Sequence, residues 1–437
     1  MHFKYLRIAG LGPLMITSVL RYGSFCNLDP HAHRTNMQSL TNFVLNTVSE
    51  FRPRPKKGCH TRIALALLLI FECALSTGAF AGYIQTNLVS DGSVTGTTTD
   101  ANLINPWGMA ASSTSPFWVS DNGSGLSTLY NGSGTTQGLI VTIPPPSGGT
   151  GPSNPTGQVY NAGAGFELGP GQPARFIFAT EDGTISGWNP TANSTNALLK
   201  VDNSASGANY KGLAIGTSGS STFLYAANFS QGRIDIFDST FAPSILAGSF
   251  TDPNLPAGYA PFNIQNIGGK LYVAYAKQDG SGQNNSPGSG QGYVDEFDTN
   301  GNFLRRLISG GILNSPWGLA LAPLDFGAYS NALLVGNAGD GVINAFDLTT
   351  GNLLGTIEDA LNNSISIDGL WGLSFGNGGQ TNELFFTAGP NDGANGLFGK
   401  ITTTDASSSP SVPEPATLSL LVLGIAGLGF SRRKRAS

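Results

Sequence analysis

Cysteine and histidine are nearly missing from this 437-residue chain. It holds three Cys (Cys26, Cys59, Cys73) and four His (His2, His31, His33, His60), and all seven precede Ala81. Residues 52–62 are basic, Ile63 to about Leu75 is apolar, and Ala79-Phe80-Ala81 is a small-x-small cleavage site. That order is a signal peptide, read here as residues 51–81 with Ala79 and Ala81 marking the cleavage site and the mature chain starting near Gly82. Residues 1–50 are then an over-extended start or an unstructured N-terminus. The chain that signal peptidase releases has neither Cys nor His. This excludes disulfides, cysteine nucleophiles, Ser-His-Asp triads and imidazole zinc sites. More than 300 remaining residues bury enough surface to fold without staples.

Positive charge is scarce too. Between Gly82 and Pro415 nine Lys and Arg stand against 24 Asp and Glu, a net of −15, although the whole chain is only −5. Most of the cations lie in the two ends. An acidic body excludes nucleic acid and anionic lipid as natural partners and leaves carboxylates free for hard cations. Helical periodicity is also lacking from Gly82 to Ala406. Sixty glycines beside 40% hydrophobic and 10% aromatic residues describe many turns around a real core.

What is present is a repeat. "SPWGLALAPLDFGAYSNALLVGNAGDGVINAFDLTTGNLLGTI" (315–357) matches "NPWGMAASSTSPFWVSDNGSGLSTLYNGSGTTQGLIVTI" (105–143). Further copies occupy 155–201, 210–250, 260–308 and 368–401, with anchors at Trp107, Gly157, Gly212, Phe262, Trp317 and Trp371. Each unit has four short runs rich in β-branched and aromatic residues, separated by Gly, Asn and Asp turns. Four strands repeated six times predict an all-β, six-bladed β-propeller over residues 82–405. The last unit lacks a fourth strand, and "YIQTNLV" at 83–89 is expected to supply it, closing the ring and removing a free sheet edge. Residues 406–415 form a Pro/Ser linker.

The chain ends "SVPEPATLSLLVLGIAGLGFSRRKRAS". Pro413-Glu414-Pro415, a 15-residue apolar run and four cations resemble the PEP-CTERM sorting signal of Gram-negative bacteria. The resemblance implies a transient C-terminal transmembrane helix (416–437) and an exosortase-type sorting protease as partner. It also implies release to the cell surface or extracellular matrix. The inner-strand Gly-Leu-Ala motifs at 212–214 and 318–320, with Ile236-Phe237-Asp238 and Ala345-Phe346-Asp347, resemble NHL-type and gluconolactonase-like propellers. A PEP-CTERM tail on such repeats resembles one family of exported bacterial proteins. That resemblance implies fold and export but no activity.

In such a ring the loops entering the inner strand and those between the second and third strands share one face. Trp107, Trp317 and Trp371 fall there, with Asn105, Asn122, Lys211 and Phe262. The tryptophans are either packing between neighbouring blades or platforms for sugar rings, and they are the candidate ligand-binding residues. Glu181, Asn228, Asn337 and Asp121 are either turn residues or oxygen ligands. The gluconolactonase-like resemblance implies one axial divalent ion there, Ca²⁺ or another, held by these residues. They are placed nearer the axis than the tryptophans. "DEFDTNG" (295–301) lacks the order of a Ca²⁺ loop and reads as a solvated hairpin.

Two functions lead, ahead of a lyase or quinoprotein-like oxidoreductase for which the sequence shows no cofactor signature. One is an exported, non-enzymatic surface protein that binds an extracellular polysaccharide or a surface protein. The other is a divalent-metal-dependent hydrolase of lactones or esters, using carboxylates and a metal-activated water. No catalytic residues are assigned.

Overall fold

The computed structural model describes residues 82–377 and 380–404. The signal peptide, its cleavage residues Ala79 and Ala81, the motif Pro413-Glu414-Pro415 and the C-terminal apolar segment lie outside them. Among the described residues no helix is long and apolar enough to cross a membrane.

Six antiparallel sheets follow one another around a ring. From the inner strand outward, blade one is Pro106–Ala110, Phe117–Asp121, Leu126–Tyr130 and Val141–Thr142. Blade two is Pro155–Tyr160, Phe176–Thr180, Thr184–Trp188 and Leu198–Asp202. Blade three has Tyr210–Ser218, Ser221–Asn228 and Arg233–Phe237. Blade four is Tyr259–Ile267, Lys270–Lys277, Gly292–Phe297 and Phe303–Ser309. Blade five is Pro316–Leu321, Leu333–Asn337, Ile343–Phe346 and Leu353–Thr356. Blade six is Leu370–Phe375, Leu384–Ala388 and Leu397–Thr403, completed by the N-terminal strand Tyr83–Ser90. That closure is the one expected from the sequence. Tyr83 pairs with Thr403 and Ser90 with Leu397. A two-residue strand, Thr98–Thr99, adds a parallel edge beyond it.

The second strands are the most apolar runs, and in blades one, two, five and six they are buried on both faces because each sheet packs between two others. Between blades one and two, Trp118 stacks on Phe176 with ring centres 4.1 Å apart, and Trp188 lies 4.6 Å away. Asp and Asn shape the turns after the third strands. The Asp238 and Asp298 carboxylates accept the backbone N–H two residues on, at 2.8 and 2.9 Å. These are Asx turns, which explains why those positions are acidic.

Blade three departs from expectation. "PSILAG" (243–248) has the composition of a fourth strand, but only its start pairs: Phe237 bridges Pro243, and Ser244 N–H donates to the Ile236 carbonyl at 2.8 Å. The chain then leaves the sheet. Gly248 and Phe250 N–H donate to the Asn300 and Gly301 carbonyls, and Phe250 is buried against Tyr225 and Phe297. Filling the interface between blades three and four takes the segment away from the edge it would have covered.

Candidate functional site at the axial mouth

Every inner strand breaks register near its start, between Pro106 and Met109, Pro155 and Gln158, Tyr210 and Gly212, Pro261 and Asn263, Pro316 and Gly318, and Leu370 and Leu373. A bulge leaves a residue out of the ladder and re-aims its side chain. The residues so placed are Trp107, Thr156, Lys211, Phe262, Trp317 and Trp371. Five of them precede a glycine, and the reason is close approach: a methyl group on Gly108 or Gly157 would collide with the backbone of the next blade, at Thr156 and at Leu213. Blade four has Asn263 instead, and its amide donates to the Trp317 carbonyl at 2.6 Å. The ring thus closes around its axis by inner-strand contact.

The bulged side chains meet one another. Trp371 lies flat on Trp107 at 3.6 Å, and Trp317 meets both edge-on at 6.0 Å. Phe262, from the opposite side of the ring, packs edge-on against Trp107 at 6.5 Å. The tryptophans therefore form a plug across the axis, where packing between neighbouring blades or separate rim platforms were the expectations. Trp107 and Trp317 are 5% and 4% exposed; Trp371 is the half-buried outermost ring. Beneath the plug the axis is almost filled. A cavity of ≈ 40 Å³ remains, lined in part by Gln158, Asn263, Gln265 and Ser374. That is room for about one or two waters.

A polar arc surrounds the plug. Trp371 Nε1 donates to Asn105 Oδ1 (3.3 Å), Asn105 Nδ2 to Asn122 Oδ1 (3.1 Å), and Asn122 Nδ2 to Glu181 Oε2 (2.9 Å). The other Glu181 oxygen takes Lys211, whose ammonium is 5.3 Å from the Trp107 ring centre and 5.9 Å from that of Phe229. Lys211 is buried, and Trp317 Nε1 donates to its carbonyl at 3.2 Å. A buried ammonium needs this carboxylate and these ring faces, since burial without a partner is costly. Among the described residues Trp107 Nε1 has no partner.

The four expected cation ligands do not come together. Glu181 belongs to the arc. Asp121 is fully buried in blade one, where one oxygen accepts Thr128 N–H at 3.0 Å; burial raises its carboxyl well above the usual range. Asn228 donates to Asp235 at 2.7 Å, and Asn337 donates to the Ile312 carbonyl at 2.8 Å. Asn228 clasps the hairpin of its own blade, and Asn337 holds the connection that leads into blade five. Among the described residues no three His, Cys, Asp or Glu side chains converge. The order of distance from the axis is also reversed. Asn228 and Asn337 end second strands, whereas the tryptophans ride on inner ones.

Lys211 is a residue that sequence reasoning put on this face without a role. The signal was available. Aligning the repeats on the Gly of Pro-x-Gly, rather than on Gly157 and Gly212 as anchors, puts Thr156 and Lys211 in register with the tryptophans. "DEFDTNG" is also corrected. Asp298 shapes an exposed turn, but Asp295 and Glu296 are buried in blade four. Glu296 is paired with Lys270 and Arg305. Asp295 shares Arg306 with Asp252, and burial plus that neighbouring carboxylate raise it to about 8.

Against known proteins, residues 411–435 match the PEP-CTERM protein-sorting motif. The chain is 33% identical over 326 residues to uncharacterized protein L690 of Acanthamoeba polyphaga mimivirus, covering 72% of this chain and 84% of that one. The two belong to one family. A second mimiviral member, uncharacterized protein R648, is 34% identical over 317 residues, covering 69% and 76%. Among solved structures, a structural genomics protein of unknown function from Bacteroides thetaiotaomicron VPI-5482 aligns with a TM-score of 0.47 at 11% identity, over 74% of this chain and 76% of that one. A streptogramin B lyase aligns at 0.41 and 13%, over 74% and 97%. The chain is an exported six-bladed propeller with a PEP-CTERM sorting signal, which implies recognition by exosortase-type machinery.

Proposed function

We propose that this exported propeller is a non-enzymatic binding protein, and that a saccharide packs on Trp371 at the axial mouth. One observation carries the reading. Trp371 is the half-buried member of an aromatic plug, held flat by the Trp107 ring beneath it and by its own bond to Asn105. An indole held in place offers the apolar face of a sugar a contact that costs little ordering. The amide of Asn105 and the carboxylate of Glu181, both part-exposed, lie along the same arc and offer partners for hydroxyls. Delivery by a sorting signal towards the cell surface brings such a site to extracellular polysaccharide.

The test is a glycan array on the purified chain, followed by titration of the best polysaccharide against tryptophan fluorescence. Trp371→Ala is expected to weaken binding by about 1–3 kcal/mol, the cost of losing an aromatic anchor. Folded protein that ignored every glycan, or that bound one equally well without the Trp371 ring, would overturn the reading.

A further inference from the structure

The outer edge of blade three is left unfinished. In a strand, alternate residues aim their backbone groups to opposite sides. Ser244 reaches the Ile236 carbonyl from outside, so Ile234, two residues back, also faces outward. Among the described residues neither the N–H nor the carbonyl of Ile234 has a partner, and the Ile236 N–H has none. Beside them runs a groove of ≈ 400 Å³ whose walls include Arg233, Ile234, Ile236, Ile245, Leu246 and Phe250. Ile245 is 96% exposed. The Arg233 side chain, 59% exposed, stands at the end of the open edge, where its Nε donates to Asp235 at 2.6 Å.

We infer that this edge is a strand-addition site for an extended peptide that carries a carboxylate opposite Arg233. Backbone bonds to the N–H and carbonyl of Ile234 would give affinity, and side chains on alternate positions would meet the apolar wall. Blade two shows what fits. Its third strand Thr184–Trp188 occupies the register of Arg233–Phe237, since Ala179 faces Ile185 where Ala227 faces Ile234. There the outer strand sets Val201 opposite Ile185 and Asp202 opposite Thr184. The same strand moved to blade three would put its Val on Ile234 and its Asp on Arg233.

The occupant is a thin chain and not a second propeller. Two copies paired about Ile234 would set Arg233 against Asp235 in both directions, a favourable match. The same pairing brings Gly232 of the second copy against Ile236, where Ser244 already sits. A peptide that ends at that point avoids the collision.

The probe is a fluorescent peptide Leu-Lys-Val-Asp-Asn, the sequence of residues 199–203, which ends short of the position opposite Ile236 and is titrated into the full chain by anisotropy. Saturable binding is expected. Arg233→Glu should weaken it about tenfold, and a peptide with Lys in place of its Asp should recover affinity for that variant only. Ile245→Asp, at an exposed position, tests the wall without threatening the fold and should also weaken binding. Three results would overturn the inference. They are absence of binding to folded protein, binding indifferent to the charge swap, and concentration-dependent dimerisation abolished by Ile245→Asp. None of them depends on the axial tryptophans, so the glycan reading stands or falls separately.

Discussion

Blades six and three face the same problem and resolve it differently. Each runs out of local chain before its outer position is filled. Blade six borrows Tyr83–Ser90 from the far end of the sequence and pairs it along its length. Blade three keeps a short bridge and sends the rest of its segment to fill the next interface. The difference lies in what each edge protects. At blade six a missing strand would bare the edge of Leu397–Thr403 and wet the apolar surfaces that Tyr83 and Val89 cover. At blade three the inner strands have already closed the ring, so the outer edge carries little of the fold.

The comparison breaks most visibly if the borrowed strand is removed. Deleting residues 82–90 discards two fully buried side chains and the hydroxyl bond from Tyr83 to the Phe326 carbonyl. At about 1.5–3 kcal/mol per buried apolar side chain, plus an exposed ladder, several kcal/mol should be lost. Thermal melting and sedimentation should show an unstable, self-associating protein. A variant that melts like the parent would show the two edges to be equivalent.

Trp107→Ala comes next. A buried aromatic at the axis, common to all blades, should cost about 3–5 kcal/mol in chemical denaturation. Trp371→Ala should cost clearly less, because that ring is half-buried, and should act mainly on binding. Equal losses from both would make the plug purely structural.

The connection leaving blade three can be tested by pH. Asp252 in that connection and Asp295 in blade four face one guanidinium, Arg306, itself stacked on Tyr293, with the Tyr275 hydroxyl alongside. Asp295 is neutral when protonated, and its folded value, about 8, lies above its unfolded one. Stability is therefore full below about pH 4 as far as this group is concerned, and it falls as pH rises towards 8. Asp295→Asn, which copies the protonated acid, should flatten that fall and gain of the order of 3 kcal/mol at pH 9. Melting curves from pH 5 to 9 decide it, and parallel curves for both proteins would refute the assignment. The smallest effect belongs to Ile245→Ser. At 96% exposure it should shift stability by less than about 0.5 kcal/mol.

The sequence made the ring legible because every blade repeats an inner strand that only a small residue allows to pack. Pro-Trp-Gly and Gly-Leu-Ala are the trace of that contact, and the lone unpaired run at 83–89 follows from counting strands. The plug was half legible. Tryptophans at equivalent positions were visible, but the bulge that turns them onto the axis is a backbone irregularity without a residue signature. The Lys211–Glu181 pair was obscured because the two residues lie 30 apart on different blades, and an alternating pattern says nothing of partners across a ring. Asp295 looked solvated because its run ends at Asp298 in an exposed turn, although Asp295 itself lies within the strand Gly292–Phe297 between two packed sheets. The missing strand of blade three was misread because its composition is that of a strand; a distant interface drew Phe250 away.

Thr404 hydrogen-bonds to the carbonyl of Gly82 through both its N–H and its hydroxyl, so the first and last described residues touch. The strand that leads to Thr404, Leu397–Thr403, is held by Leu384–Ala388 on one side and by the borrowed strand on the other. A tether pulling beyond Thr404 draws along this strand and loads both ladders lengthwise at once. The bonds then share the force in shear and do not open one by one. A protein hung from its C-terminal end is thus suspended from a seam held by two ladders at once, and stretching by that end should need more force than stretching from Gly82, whose strand has one full ladder.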